Sequence, residues 1–207
     1  MMLITGDWIR QRLLDASRQV QSGAIHEAPR PAASPIPAAV LIPIVNRPSG
    51  LTVLLTQRTA HLRDHAGQVS FPGGRCELID ATPVATALRE SREEVGIEPE
   101  QVEVLGNLPD YFTSTGFRVT PVVGLVTPPL NLRLDDFEVA EAFEPPLQFL
   151  LDPASYQRHQ IEREGALHTY WAVPWQDYFI WGATAGMLVS LRSCLLSVPD
   201  AGLMDTT

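Results

Sequence analysis

Residues Gly74 to Ile97 read GRCELIDATPVATALRESREEVGI, and the second half of this stretch decides the fold. Thr82 is a good N-cap, Pro83 suits the first helical position and Gly96 supplies a left-handed stop, so the spacing predicts a helix over Pro83–Val95. Projected at about 100° per residue, Val84, Ala87, Leu88, Ser91 and Val95 form one stripe, the face that packs against a sheet. Glu90 and Glu94 stack at the edge of that stripe, and Glu93 adds a third carboxylate three residues from Glu90. Arg89 and Glu93 lie farther around. Like charges one turn apart cost a helix a few tenths of a kcal/mol, so something should compensate. A hard divalent cation does so, because Mg²⁺ takes oxygen ligands and keeps waters or phosphate oxygens in its remaining positions. The plainer alternative is a solvated acidic face with an Arg89–Glu93 pair.

Immediately upstream, Gln68–Phe71 reads as a brief strand stopped by Pro72, Gly73 and Gly74. Paired glycines allow close backbone approach, so a carbonyl or amide there can be offered to a metal or phosphate beside the glutamates; a simple tight turn is the alternative. Ala38–Val45 and Leu51–Gln57 read as two strands joined by a turn, with further strands at Val102–Leu105, extending toward Leu108, and at Val119–Val126. Residues 128–146 read as a Pro- and acid-rich loop, Tyr156–Arg163 and Leu167–Val173 as a hairpin across Glu164 and Gly165, and Ala183–Leu196 as a final helix. Residues 7–21 form an amphipathic helix that Asp7 can cap, and Pro29, Pro31, Pro35 and Pro37 make an extended connector behind it. The expected organisation is a helix and connector over 1–37, a main domain over 38–198 and a tail over 199–207. No internal repeat is visible.

The 207 residues are 45% hydrophobic and 19% charged, which suits one substantial folded domain. A net charge of −9 argues against a broad basic surface and hence against non-specific nucleic-acid binding, so an anionic ligand must be met by local positive charge or by a metal. Cys76 and Cys194 offer neither a zinc-ligand spacing nor a disulfide framework, which points to a reducing, cytoplasmic setting. Asp7, Arg10 and Arg12 interrupt what would be the apolar core of a signal peptide. The longest apolar run, Phe179–Val198, carries Arg192 and reads as a buried helix rather than a membrane span.

Taken as one unit, Gly74–Ile97 resembles the Nudix box, G-x5-E-x7-R-E-U-x-E-E-x-G-U, where U is a bulky aliphatic residue. There are three departures: the first acid is Asp80, the gap from Asp80 to Arg89 is one residue longer, and the first U position holds Ser91. LLTQRTAHLRDHAGQVSFPGG, from Leu54 to Gly74, is similar to the signature of the coenzyme A pyrophosphatase branch, with Thr59 in the usual serine place and Val69 at its apolar position. LPDYFTSTGFRVTPVVGLV and IWGATAGMLVSL resemble later segments of the same branch, so the likeness covers about Ala38 to Leu196.

The resemblance implies an α/β (α+β) fold, an α/β/α sandwich with a mixed β-sheet. It implies Glu90 and Glu94 as metal carboxylates, Gly73 as a carbonyl ligand, Glu93 as a third ligand or water activator, and Arg89 as the residue that orients the glutamates. The implied cofactor is Mg²⁺ or Mn²⁺. The implied substrate is coenzyme A or an acyl derivative, cut at its phosphoanhydride to 3′,5′-ADP and 4′-phosphopantetheine or the acyl form. Arg58 and Arg63 are candidates for substrate phosphates, with ordinary surface charge as the alternative. Gly74 is a candidate for close backbone approach to substrate, and Phe71 and Tyr111 for packing on adenine or the pantetheine arm, with core packing as the alternative for both rings. His61 and His65 lack the glutamate of a zinc-protease motif, while Glu138, Glu141 and Glu144 include a candidate for an additional base or ligand among which sequence does not choose, with a solvated loop as the alternative. Other readings are a Nudix hydrolase of ADP-ribose, a nucleotide sugar or NADH, and a non-catalytic nucleotide-binding module. The expected partner is a small molecule, without nucleic acid or membrane, and a homodimer is compatible with the sequence.

Overall fold

One strand is buried on both faces, and the layering of the molecule follows from it. The computed structural model describes residues 4–19, 25–26, 34–62, 65–163 and 165–196. In chain order the elements are α1 (Gly6–Gln19), β1 (Ile25–His26), β2 (Ile36–Arg47), β3 (Gly50–Val53), β4 (Leu55–Arg58), β5 (Val69–Ser70), β6 (Gly73–Arg75) and α2 (Pro83–Val95). They continue with β7 (Val102–Asn107), β8 (Tyr111–Phe112), β9 (Phe117–Val126), β10 (Val139–Phe143), α3 (Leu147–Leu151), β11 (Gln157–Arg163), β12 (Ala166–Trp175), β13 (Tyr178–Trp181) and α4 (Gly182–Leu196).

The doubly buried strand is β2. It runs parallel to β9 and antiparallel to β3 and β6 in a seven-stranded mixed sheet ordered β1-β8-β9-β2-β3, with β7 also on β9. Alternation sends Ala39 and Leu41 to one face, where they meet Ala87 of α2, and Ala38, Ile42 and Ile44 to the other, where they join Ile9 and Leu13 of α1 and Leu188 and Leu191 of α4. This is the expected α/β/α arrangement with a mixed sheet. Burial on both faces is why β2 reads as a continuous apolar run rather than an alternating one. Two smaller antiparallel sheets, β10-β4-β5 and β11-β12-β13, complete the fold.

Several local expectations are corrected. The run Leu51–Gln57 is two strands, because the ladder breaks at Leu54, whose N–H donates to Pro43 O at 3.0 Å; β3 stays with β2 while β4 passes to the second sheet. The stretch 128–146 is not all loop, since Val139–Phe143 pairs with β4. The hairpin at 157–175 gains a third strand, β13. The cap of α1 is Thr5, whose hydroxyl accepts from Trp8 N–H at 3.2 Å, while Asp7 instead pairs with Arg10 at 2.8 Å. Residues 20–21 of the expected first helix, most of the connector and the tail 199–207 lie outside the described residues. Among the described residues no helix is long and apolar enough to cross a membrane.

The N-terminal helix is part of the main core. Ile9 is fully buried, Leu13 nearly so, and Arg10 pairs with Glu103 of β7. Ile9→Ala should therefore lower unfolding free energy in urea by about 2–4 kcal/mol, whereas a detachable appendage would show almost no change.

Candidate active site

The helix that carries the acids is set at both ends by the residues that predicted it. The Thr82 hydroxyl accepts from Ala85 N–H at 3.2 Å, and Gly96 at φ 73° lets its own N–H return to the last turn. Ser91, at a position the motif gives to an aliphatic residue, is fully buried and donates its hydroxyl to Ala87 O at 2.7 Å, so the polar atom is satisfied within the helix itself.

Asp80, the apparent mismatch in the motif, is the anchor for Arg89. Its carboxylate accepts from Arg89 Nε at 3.1 Å and Nη2 at 3.0 Å, from Thr86 Oγ1 at 2.9 Å and from Glu77 N–H at 2.9 Å. The Asp80 side chain is only 4% exposed, and the fork of Arg89 holds its pKa well below the usual carboxylate range. Arg89 Nη1 then reaches Glu90 and Glu93, each at 2.9 Å. Arg89 thus orients two of the three glutamates while being fixed by a fourth acid outside the helix.

Glu94 is the unusual group. It is 6% exposed, and its carboxylate accepts a hydrogen bond from Gly73 N–H at 3.3 Å. Burial, reinforced by the negative charges of Glu138 and Glu90, pushes its pKa up to about 8 against the pull of that hydrogen bond and of Arg58. Glu90 is also raised, first by burial and then by Glu93 and Glu138 against the opposing pull of Arg89. Its carboxylate lies so close to Gly74 that a Cβ there would sit 2.6 Å from Glu90 Cδ. A Cβ at Gly73 would sit 2.6 Å from Val40 Cα, so the β2 backbone requires glycine at 73, while a side chain at 74 would displace the Glu90 carboxylate. Leu41 N–H donates to Pro72 O at 2.9 Å and Cys76 N–H to Pro37 O at 3.0 Å. Alternation along the β2–β6 ladder therefore turns the Gly73 backbone away from β2, on the edge where its N–H meets Glu94.

A further acid reaches the pair from the stretch read as loop. Glu138 precedes β10, raises the pKa of both Glu90 and Glu94, and pairs with Arg58 at 3.7 Å. Arg58 Nε is buried without a hydrogen-bond partner. Thr59, next in the chain, donates N–H to Glu138 O at 2.9 Å and its hydroxyl to Phe137 O at 2.7 Å. Of the other acids considered with Glu138, Glu144 is occupied by Arg47 and Thr52, and Glu141 stands beside Tyr178.

The remaining candidates separate clearly. Glu93 stays 59% exposed and is tied to Arg89 beside Glu90. Phe71 and Tyr111 are 2% and 4% exposed in the main core, with Tyr111 wedged against Gly186 of α4, so neither ring presents a face to a ligand. Arg63 lies outside the described residues. His61 leans on the Phe137 ring at 4.9 Å and His65 pairs with Gln68, so neither joins the acids. Sequence reasoning undervalued Asp80, and the signal was its place in the motif.

The donor set fits a hard divalent cation. Two carboxylates, both pushed toward protonation by burial and by the charge of Glu138, meet beside the Gly73 strand edge, whose backbone faces them. Among the described residues no three His, Cys, Asp or Glu side chains converge to enclose an ion. Mg²⁺ typically takes one or two carboxylates and fills its other positions with water and phosphate.

Between pH 4.5 and about 8 folded Glu94 keeps a proton that the unfolded chain releases, so stability without metal falls as pH rises through that window. Glu94→Gln removes this penalty. In EDTA at pH 8.5 the variant should melt above the parent, by about 3 °C or more, and below pH 4.5 the two should coincide; a lower Tm for the variant at pH 8.5 would contradict the burial effect.

A family model described as NUDIX domain matches residues 35–163. A curated relative from Escherichia coli (strain K12), described as the uncharacterized Nudix hydrolase NudL, is 51% identical over 155 residues, spanning 74% of this chain and 80% of the relative. Among solved structures, a C. elegans Ap4A hydrolase binary complex is 21% identical with a TM-score of 0.47, covering 54% of this chain and 80% of that one. A MutT/nudix family protein from Enterococcus faecalis is 14% identical with a TM-score of 0.48, covering 92% of this chain and 74% of that one. With the family model matched over residues 35–163 and 51% identity to a Nudix hydrolase, the chain belongs to the NUDIX domain family.

Proposed function

We propose that this Nudix family member hydrolyses the pyrophosphate bond of coenzyme A and its acyl derivatives, giving 3′,5′-ADP and 4′-phosphopantetheine or its acyl form. The observation that carries the hydrolytic part is the pairing of buried Glu94 with Glu90 against Gly73 and Gly74. The coenzyme A part rests on the segment Leu54–Gly74, which supplies Arg58 and the two glycines.

Glu90 and Glu94 would hold Mg²⁺ or Mn²⁺, with the Gly73 carbonyl as a further ligand. When bound, the ion screens the charge of the pyrophosphate and lowers the pKa of bound water. The chain's own groups do the rest. Asp80 fixes Arg89, and Arg89 fixes Glu90 and Glu93, so the acids are held before substrate arrives. Glu93, solvent-open and held by Arg89, is placed to take a proton from an attacking water. Arg58, whose guanidinium stands beside Glu138, would pair with a substrate phosphate, and Glu138 would add negative charge around the cation.

The test is product identification after incubation with coenzyme A, ADP-ribose, a nucleotide sugar, NADH or Ap4A, each with Mg²⁺ or Mn²⁺. Coenzyme A should be the preferred substrate and release 3′,5′-ADP. Glu94→Gln should lower kcat by more than the roughly 10–100-fold typical of outer-shell partners, with the fold retained. Equal turnover across the panel would refute the coenzyme A assignment, and an unaffected Glu94→Gln enzyme would refute the ligand assignment.

A further inference from the structure

The turn that carries Glu138 is bolted to the molecule from two sides. On one side it is tied to the end of α2: Arg133 N–H donates to Val95 O at 3.0 Å, and Asp135 N–H donates to the backbone carbonyl of Glu94 itself at 2.9 Å. Asp135 then closes the turn, since Oδ1 accepts from Phe137 N–H at 2.8 Å and its carbonyl accepts from Glu138 and Val139 N–H at 3.0 and 2.8 Å. On the other side stands Thr59, the first residue beyond the β4–β10 ladder, whose last pair is Arg58 with Val139. Thr59 is 7% exposed, and both its N–H and its hydroxyl are spent on the backbone of residues 137 and 138.

We infer that Thr59 is a positioning residue: its two bonds to the Phe137–Glu138 backbone fix the distance of the Glu138 carboxylate from Glu90 and Glu94 and so set how tightly the site holds a divalent cation. The inference rests on the metal-dependent reading above. Its physical content is that the Asp135 bonds keep the turn attached to α2 and the Thr59 N–H bond to Glu138 O persists when the side chain is altered, while the hydroxyl bond to Phe137 O adds the second restraint on the peptide that leads into Glu138. A valine has nearly the same shape and leaves the Phe137 carbonyl without that donor; a serine restores the donor.

The experiment is a double-mutant cycle read by Mn²⁺ calorimetry and, separately, by steady-state kinetics with coenzyme A. Thr59→Val and Glu138→Gln should each weaken Mn²⁺ binding by at least about threefold and lower kcat at limiting metal, and in Thr59→Val KM for the nucleotide stays put. Thr59→Ser should match the parent, and Thr59→Val in the Glu138→Gln background should add nothing. Should Thr59→Val lose its cooperative melt, Thr59→Ala is read in its place. Unchanged Mn²⁺ affinity in Thr59→Val, equal losses in the valine and serine variants, or additive effects with Glu138→Gln would each overturn the inference alone. A parent protein that binds no Mn²⁺ would overturn the reading beneath it as well.

Discussion

A carboxylate held out of water beside other carboxylates is the constraint around which this molecule is arranged. Among the described residues Glu94 is one of few buried charged or polar groups, and its carboxylate accepts from Gly73 N–H. An isolated ionised carboxylate is costly in such surroundings, so the metal-free protein meets the cost by protonation and a cation meets it by charge. The geometry on either side serves this arrangement. Gly73 and Gly74 have no side chains because Val40 and Glu90 occupy the space, and β6 is laid on β2 so that its free edge faces the acids.

Rigidity comes from pairing charges in series. Asp80 is saturated by Arg89, Thr86 and the Glu77 amide, which leaves the far nitrogen of Arg89 to organise Glu90 and Glu93. A guanidinium suits this chain of contacts because its planar donors engage several oxygens at fixed angles. The acids at the middle of the series are only partly neutralised, which preserves their pull on a cation. The second approach, through Thr59 and the 135–138 turn, joins α2 to the β4–β10 sheet across the same point, so the site lies where two sheets and a helix share hydrogen bonds.

Much of this was legible before any coordinates. The bounds of α2 follow from Thr82, Pro83 and Gly96, three residues whose preferences have local causes, and they coincide with the structure to the residue. The stripe of Val84, Ala87, Leu88, Ser91 and Val95 likewise meets the sheet, though burial extends beyond it to Thr86 and Glu94. What sequence did not disclose depends on partners distant in the chain. Val139–Phe143 alternates too weakly between acids and prolines to read as a strand, and is one because β4 lies beside it. The continuous apolar run at 51–57 conceals a change of sheet at Leu54. Phe71 and Tyr111 carry rings that suit a ligand equally well, and only the packing of α4 and the main core assigns them to the interior. Asp80 looked like a departure from a motif, although its shorter side chain and the longer gap arrive at the same arginine.

The most direct measurement is the number of protons released when Mn²⁺ binds, obtained by calorimetry at pH 7 in buffers of different ionisation enthalpy. With Glu94 pushed up to about 8 and displaced into its ionised form by the ion, roughly 0.9 proton should leave per site. Binding that releases no proton would mean that Glu94 is already ionised in the free protein, and the account of a buried acid kept protonated until a cation arrives would fail.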